Sequence, residues 1–209
     1  MNKLIAVVGP SGVGKTSLVR ALSKAGDFSV AYEQHAERPF QSLFAESTSG
    51  TGKQYKRYAL ANQLDYLLFR AEQEKALRAS PHIALTDGGL DLDFHGFTRL
   101  FHARGWLDDA EFDLCRRFYI WNREFLPPPG LVIALNAPEE TIRQRLAARN
   151  RINIASEDDT LLFNKFLEEW LDTIPPRQKM QMDVSSEGLD FSRSTQLILG
   201  RLQSLPNGF

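Results

Sequence analysis

Eight residues near the amino end, Gly9-Pro10-Ser11-Gly12-Val13-Gly14-Lys15-Thr16, match the pattern G-x-x-x-x-G-K-[ST] at every fixed position. Glycines at these places let the backbone curl until successive N–H groups point inward, where they bind phosphate oxygens. A helix starting just after the loop adds its positive end. Gly9, Ser11, Gly12, Val13, Gly14, Lys15, Thr16 and Ser17 are therefore the candidate nucleotide cradle. The Lys15 ammonium would neutralise the β and γ phosphates, and the Thr16 hydroxyl would take a place on Mg²⁺. ATP and Mg²⁺ are the expected cofactors. A second string, Gly50-Thr51-Gly52-Lys53, has no apolar strand ahead of it and reads as loop.

These residues need strands and helices to hold them. Leu4–Val8 is an apolar run of the kind a buried parallel strand requires, and it ends at Gly9. Leu18, Val19 and Leu22 then follow helical spacing. Further strand candidates are Phe28 to Tyr32, His82 to Thr86, Leu131 to Leu135 and Lys179 to Val184. Helices are expected over Tyr58 to Arg78, Asp91 to Ala103, Asp108 to Phe125, Pro138 to Arg151, Asp158 to Leu171 and Ser192 to Leu205. The stretch from Glu46 to Gln54 is rich in Ser, Thr and Gly and reads as loop. Strands alternating with helices predict a P-loop NTPase-type α/β fold: three α/β/α layers around a mostly parallel, five-stranded sheet. Ligands on such a sheet bind at the carboxyl ends of the strands. Gly9, Glu33 and Asp87 all fall at that edge, and Asp87 at a strand end is a candidate Mg²⁺ ligand.

Composition narrows the partners. The 209 residues carry 25 basic and 26 acidic side chains, a balance that argues against binding a nucleic-acid polymer or a membrane surface. The leading apolar run is too short for a signal or membrane segment, and the single cysteine, Cys115, points to a reducing, cytoplasmic setting. Cys115 and the four histidines show no metal-binding spacing. One domain is expected over residues 1–209.

The order of motifs from Leu4 to about Phe191 resembles the deoxynucleoside kinase family, which shares its core with thymidylate kinase. Tyr32-Glu33-Gln34 stands where that family has a Glu-Pro whose glutamate is the general base on the nucleoside 5′-hydroxyl, so the resemblance assigns that role to Glu33. Gln63 and Arg70, seven residues apart on one helical face, match a Gln and Arg at the base. Asp93 and Phe97 match an Asp that pairs with that Arg and a Phe that stacks on the base. Members with this set take deoxyadenosine, deoxyguanosine or deoxycytidine. Arg145, Arg149 and Arg151 resemble the arginine-rich lid, about residues 145–157, that stabilises charge on the transferring phosphoryl group. Asp183, in Met182-Asp183-Val184, resembles the adenine-side loop. The resemblance implies a small-molecule nucleoside substrate and a homodimer.

Two departures stand out. Strand three ends in the family as an acidic residue, then Arg, then Ser; here it reads Asp87-Gly88-Gly89, and the arginine is gone. Arg38 is the nearest replacement. After the lid, the sugar-binding acidic pair gives way to Ile152-Asn153-Ile154, with Glu157 and Asp158 beyond. Tyr55 and Tyr58 compete for one further family position. The leading expectation is an ATP-dependent (deoxy)nucleoside kinase. The alternatives are a nucleoside monophosphate kinase, with Arg38 and Arg57 on the acceptor phosphate, and a nucleotide-binding regulator with reduced catalysis.

Overall fold

A computed structural model of the chain describes residues 3–32, 38–48, 57–147, 157–188 and 190–204. Within them the strands are β1 (Leu4–Val8), β2 (Phe28–Ala31), β3 (Ile83–Asp87), β4 (Leu131–Asn136) and β5 (Lys179–Asp183). They form one sheet in the order β2-β3-β1-β4-β5, with every pair parallel. The helices in chain order are α1 (Lys15–Ala25), α2 (Pro39–Thr48), α3 (Ala59–Arg78), α4 (Leu90–Leu92), α5 (Arg99–Ala103), α6 (Asp109–Phe125), α7 (Glu139–Ala147), α8 (Glu157–Asp172) and α9 (Ser192–Ser204).

β1 shows why the sheet is covered on both sides. Ile5 and Val7 pack into a cluster with Leu18 and Leu22 of α1 and Ile198 of α9. Ala6 and Val8 point the other way, into a cluster with Phe163, Leu167 and Trp170 of α8. Alternation of period two thus feeds two layers, and both faces are apolar because both are buried. A third cluster, built on Phe44, Leu67, Leu90, Phe94, Phe101 and Leu107, joins α2, α3 and the segment after β3. Cys115 lies in that cluster, fully buried, and burial pushes its thiol up to about 12, so it serves there as an apolar packing group.

Two expectations change. Glu46–Thr48, read from sequence as loop, belong to α2. Phe40, Leu43 and Phe44 at i, i+3 and i+4 supply its helical period, and Phe44 stacks on Phe101 at 4.9 Å. The remaining residues of that stretch, 49–54, lie outside the described residues. The helix expected over Asp91 to Ala103 is interrupted: Asp93–Thr98 forms a π-helical turn between α4 and α5. Of the helix expected over Pro138 to Arg151, Glu139–Ala147 is described. Elsewhere the boundaries agree closely, and α6 starts on a capping box in which Asp108 accepts from the Glu111 N–H and Glu111 from the Asp108 N–H, both at 2.9 Å.

Candidate active site

The loop between β1 and α1 takes backbone angles open chiefly to glycine: φ is +146° at Gly9, +82° at Gly12 and +117° at Gly14. Neighbours close on it as well. A Cβ on Gly14 would lie 2.4 Å from the Phe191 ring, and one on Gly12 would lie 2.7 Å from Leu146 of α7. Lys15 Nζ arches back to the Gly9 and Pro10 carbonyls, each at 3.0 Å. Parallel pairing sets Val7 beside Asp87, which brings the end of β3 next to the loop. The Thr16 hydroxyl donates to Asp87 Oδ2 at 2.5 Å. Asp87 is fully buried, and its Oδ1 has no hydrogen-bond partner among the described residues. A buried carboxylate oxygen without a donor is costly unless a cation answers it. One carboxylate, one hydroxyl and substrate phosphates are the oxygen set that Mg²⁺ favours, so these residues fit the ion. Among the described residues no cluster of three or more His, Cys, Asp or Glu side chains could hold a metal.

On the other side of Asp87 stands a buried polar group carried by α3 and the segment after β3. Arg70, 3% exposed, donates through Nε to Asp93 Oδ2 at 2.6 Å and through Nη1 to the Asp87 carbonyl at 3.0 Å. A Cβ on Gly88, where φ is +83°, would lie 3.1 Å from Arg70 Nη2. Arg70 therefore fills the space beside the position where the resembling family carries its arginine. Arg38, the replacement expected from sequence, is engaged elsewhere: Asp65 accepts from its Nε and, at 2.6 Å, from its Nη2, and its guanidinium lies 4.5 Å over the Phe69 ring. The hydrogen bond to Asp65 raises its pKa. Gln63, buried on the same face of α3, takes the Thr98 hydroxyl on its Oε1 at 2.9 Å. Phe97 is half-buried and packs on Phe163 of α8 with ring centroids 4.7 Å apart. The structure thus brings Gln63, Arg70, Asp87 and Asp93 together, and adds Thr98, which sequence reasoning missed.

Arg145, on α7, donates to the Val13 carbonyl at 2.7 Å and the Val184 carbonyl at 2.9 Å. It ties the phosphate loop to the segment after β5. Asp183, the last residue of β5, is fully exposed and accepts from the Ser185 N–H at 2.8 Å, and Ser185 holds its carboxyl below the usual range. Phe191, with φ of +49°, seats its ring against Gly14. Glu33, Arg149 and Arg151 lie outside the described residues.

Behind the site is a buried ionic network. Arg123 of α6 donates to Glu74 of α3 at 2.8 Å and to Asp91 at 2.9 Å; Tyr119 donates to Asp91 at 2.7 Å. Burial alone would lower the Arg123 pKa, but Asp91 and Glu74 outweigh it and hold it raised. His95 Nε2 lies 3.1 Å from the Tyr119 oxygen. Tyr119 has spent its proton on Asp91, so His95 must donate, which fixes the neutral Nε2–H tautomer. Burial first, then Arg99 and Arg123, push His95 down to about 4. The unfolded chain takes up this proton near pH 6.5, while the folded chain resists to about pH 4. Stability is therefore expected to fall as pH drops from about 6.5 to 4, by about 3 kcal/mol at most from this group. Urea unfolding across that range should show it, with a shallower fall in His95→Gln.

A deoxynucleoside kinase family model matches residues 5–204 of the chain. The deoxyguanosine kinase of Bacillus subtilis is 24% identical over 147 residues, 70% of this chain and 67% of that protein. The deoxyadenosine kinase of Dictyostelium discoideum is 24% identical over 195 residues, 85% of this chain and 76% of that protein. A solved structure of the deoxyadenosine kinase from M. mycoides with bound dCTP superposes with a TM-score of 0.76 at 21% identity, covering 97% of this chain and 100% of that one. The fold is thereby shared over nearly the whole chain.

Proposed function

The chain belongs to the deoxynucleoside kinase family, and from that premise we propose that it transfers the γ-phosphoryl group of ATP to the 5′-hydroxyl of a purine deoxynucleoside or deoxycytidine. The observation that carries this reading is the buried Asp87, which joins two halves of one site. Its carboxylate meets Thr16 of the phosphate loop, and its carbonyl meets Arg70 of the Arg70–Asp93 pair. Nucleotide and acceptor would then lie on opposite sides of the end of β3.

Each residue has a distinct task. Backbone N–H groups from Gly9 to Ser17 and the Lys15 ammonium bind and orient the phosphates. Thr16 and Asp87 would hold Mg²⁺, which neutralises phosphate charge when bound. Glu33 accepts the proton of the 5′-hydroxyl as that oxygen attacks. Gln63 and the Arg70–Asp93 pair present donors and acceptors to the base, and Phe97 offers an apolar face beside it. Arg145 anchors the lid at the phosphate loop, while Arg149 and Arg151 stabilise charge on the transferring group. Asp183 borders the adenine side. Arg70 stands beside Gly88, where the family arginine is missing, but Asp93 pairs with its charge, so it does not stand in for that arginine. Arg38 is neutralised by Asp65, which weighs against an acceptor that already carries a phosphate.

Initial rates with ATP and Mg²⁺ over a panel of nucleosides and nucleoside monophosphates test this. Deoxynucleosides should turn over fastest; faster turnover of a monophosphate would assign the chain to the other kinase class.

The chain works in the cytoplasm as a homodimer in this reading. Leu114, Trp121 and Phe125 recur on one face of α6, and Trp121 and Phe125 are 58% and 66% exposed. Among the described residues no helix is long and apolar enough to cross a membrane. Trp121→Glu should shift the sedimenting species from dimer to monomer, and a monomeric parent protein would refute the pairing.

A further inference from the structure

The π-helical turn Asp93–Thr98 changes which side chains share a row. In an α-helix, residues five apart point about 140° away from each other. A π turn adds a residue per turn and brings i and i+5 into line. Asp93 and Thr98 therefore both face α3: Asp93 meets Arg70, and Thr98 meets Gln63 seven residues earlier on that helix. Thr98 is fully buried and Gln63 nearly so. The Thr98 oxygen lies 2.9 Å from Gln63 Oε1 and 3.1 Å from the Asp93 carbonyl.

From this geometry we infer that Thr98 is a positioning residue that sets which end of the Gln63 amide is turned to the base, and so biases the enzyme toward bases, such as adenine and cytosine, whose exocyclic amine sits beside an unprotonated ring nitrogen. The inference rests on the reading of Gln63 as a base contact. A hydroxyl has one proton to give. Donated to Gln63 Oε1, it fixes the carboxamide with that oxygen toward Thr98 and leaves Nε2 as the free donor; Nε2 makes no hydrogen bond among the described residues. The Nε2 donor matches the ring-nitrogen acceptor of adenine or cytosine, and the second lone pair of Oε1 accepts from the neighbouring amine. A keto base presents the reverse order, a ring N–H beside a carbonyl. To meet it the amide must turn over, and Thr98 must then accept from Nε2 and send its proton to the Asp93 carbonyl, the longer of its two contacts. The site tolerates the second arrangement but is built for the first.

Deoxyadenosine and deoxyinosine isolate the effect, because they differ in size hardly at all and reverse the donor–acceptor order at one edge. The parent enzyme should favour deoxyadenosine in kcat/KM by about tenfold or more. Thr98→Val keeps the shape and removes the hydroxyl; the preference should shrink by about fivefold or more, with KM for ATP unchanged. Thr98→Ser should retain the parent preference, and Thr98→Ala replaces the valine variant if that one fails to fold. A preference unaltered in Thr98→Val or Thr98→Ala, with turnover intact, overturns the role of Thr98 alone. No turnover of any nucleoside by the parent enzyme overturns the kinase reading and this inference with it.

Discussion

Asp87→Asn is expected to lower kcat for nucleoside phosphorylation by about 10²–10³-fold while leaving the thermal midpoint unchanged or raised. The two effects share one cause. Asp87 is fully buried with one oxygen bonded to Thr16 and the other without a hydrogen-bond partner among the described residues. A fold gains nothing from burying half of a carboxylate unpaired, because desolvation of the charge is only partly repaid. An amide of the same shape keeps an oxygen for Thr16 and removes the buried charge. What it loses is the anionic oxygen that the proposed site offers to the cation. Steady-state kinetics and a thermal melt on the same preparation check both halves. A melt lowered by several degrees with activity preserved would make Asp87 a structural residue and remove it from the metal site.

Arg70→Met is expected to destabilise the fold by about 3–5 kcal/mol, the cost of leaving one member of a buried ion pair behind. Asp93 is 7% exposed at its side chain and loses a charged donor at 2.6 Å. The Asp87 carbonyl loses a donor as well, and the end of β3 loses its adjacent positive charge. The double variant Arg70→Met/Asp93→Leu should recover much of that loss, because it removes the buried carboxylate that lost its Arg70 donor. Its nucleoside turnover should nevertheless stay low. Urea unfolding of the parent, the two single variants and the double variant gives the coupling; additive losses would show that the pair does not act as a unit. Recovery of stability without recovery of activity separates the pair's service to the fold from its service to the base.

The parts of this account legible in sequence are those governed by local rules. The phosphate loop is fixed by glycines at set intervals, and β1 and β4 by short apolar runs. Gln63 and Arg70 share a face because an uninterrupted α-helix keeps its period from Ala59 to Arg78. Legibility fails where tertiary packing selects the local geometry. An α-helical period would set Asp93 and Phe97, four residues apart, on one face, but the π turn does not keep that period, and the same turn hides Thr98, which no motif marks. The charge opposite Gly88 was also unreadable in one dimension. It comes from Arg70, eighteen residues upstream on another element, admitted because a residue without a side chain stands there. Arg38, nearer the loop in sequence, is diverted by Asp65, and nothing in the spacing reveals that.

The reaction proposed for this site begins with activation of a nucleoside 5′-hydroxyl for attack on ATP. In the proposed mechanism Glu33 accepts the 5′-hydroxyl proton, so the most direct measurement is 5′-monophosphate formation from deoxyadenosine by the parent enzyme and by Glu33→Gln, with ATP binding followed alongside. Robust product is expected from the parent, with a fall in kcat of about 10²–10⁴-fold in the variant and unchanged ATP affinity. A parent enzyme that binds ATP yet phosphorylates no nucleoside, or a Glu33→Gln variant as fast as its parent, would contradict that mechanism.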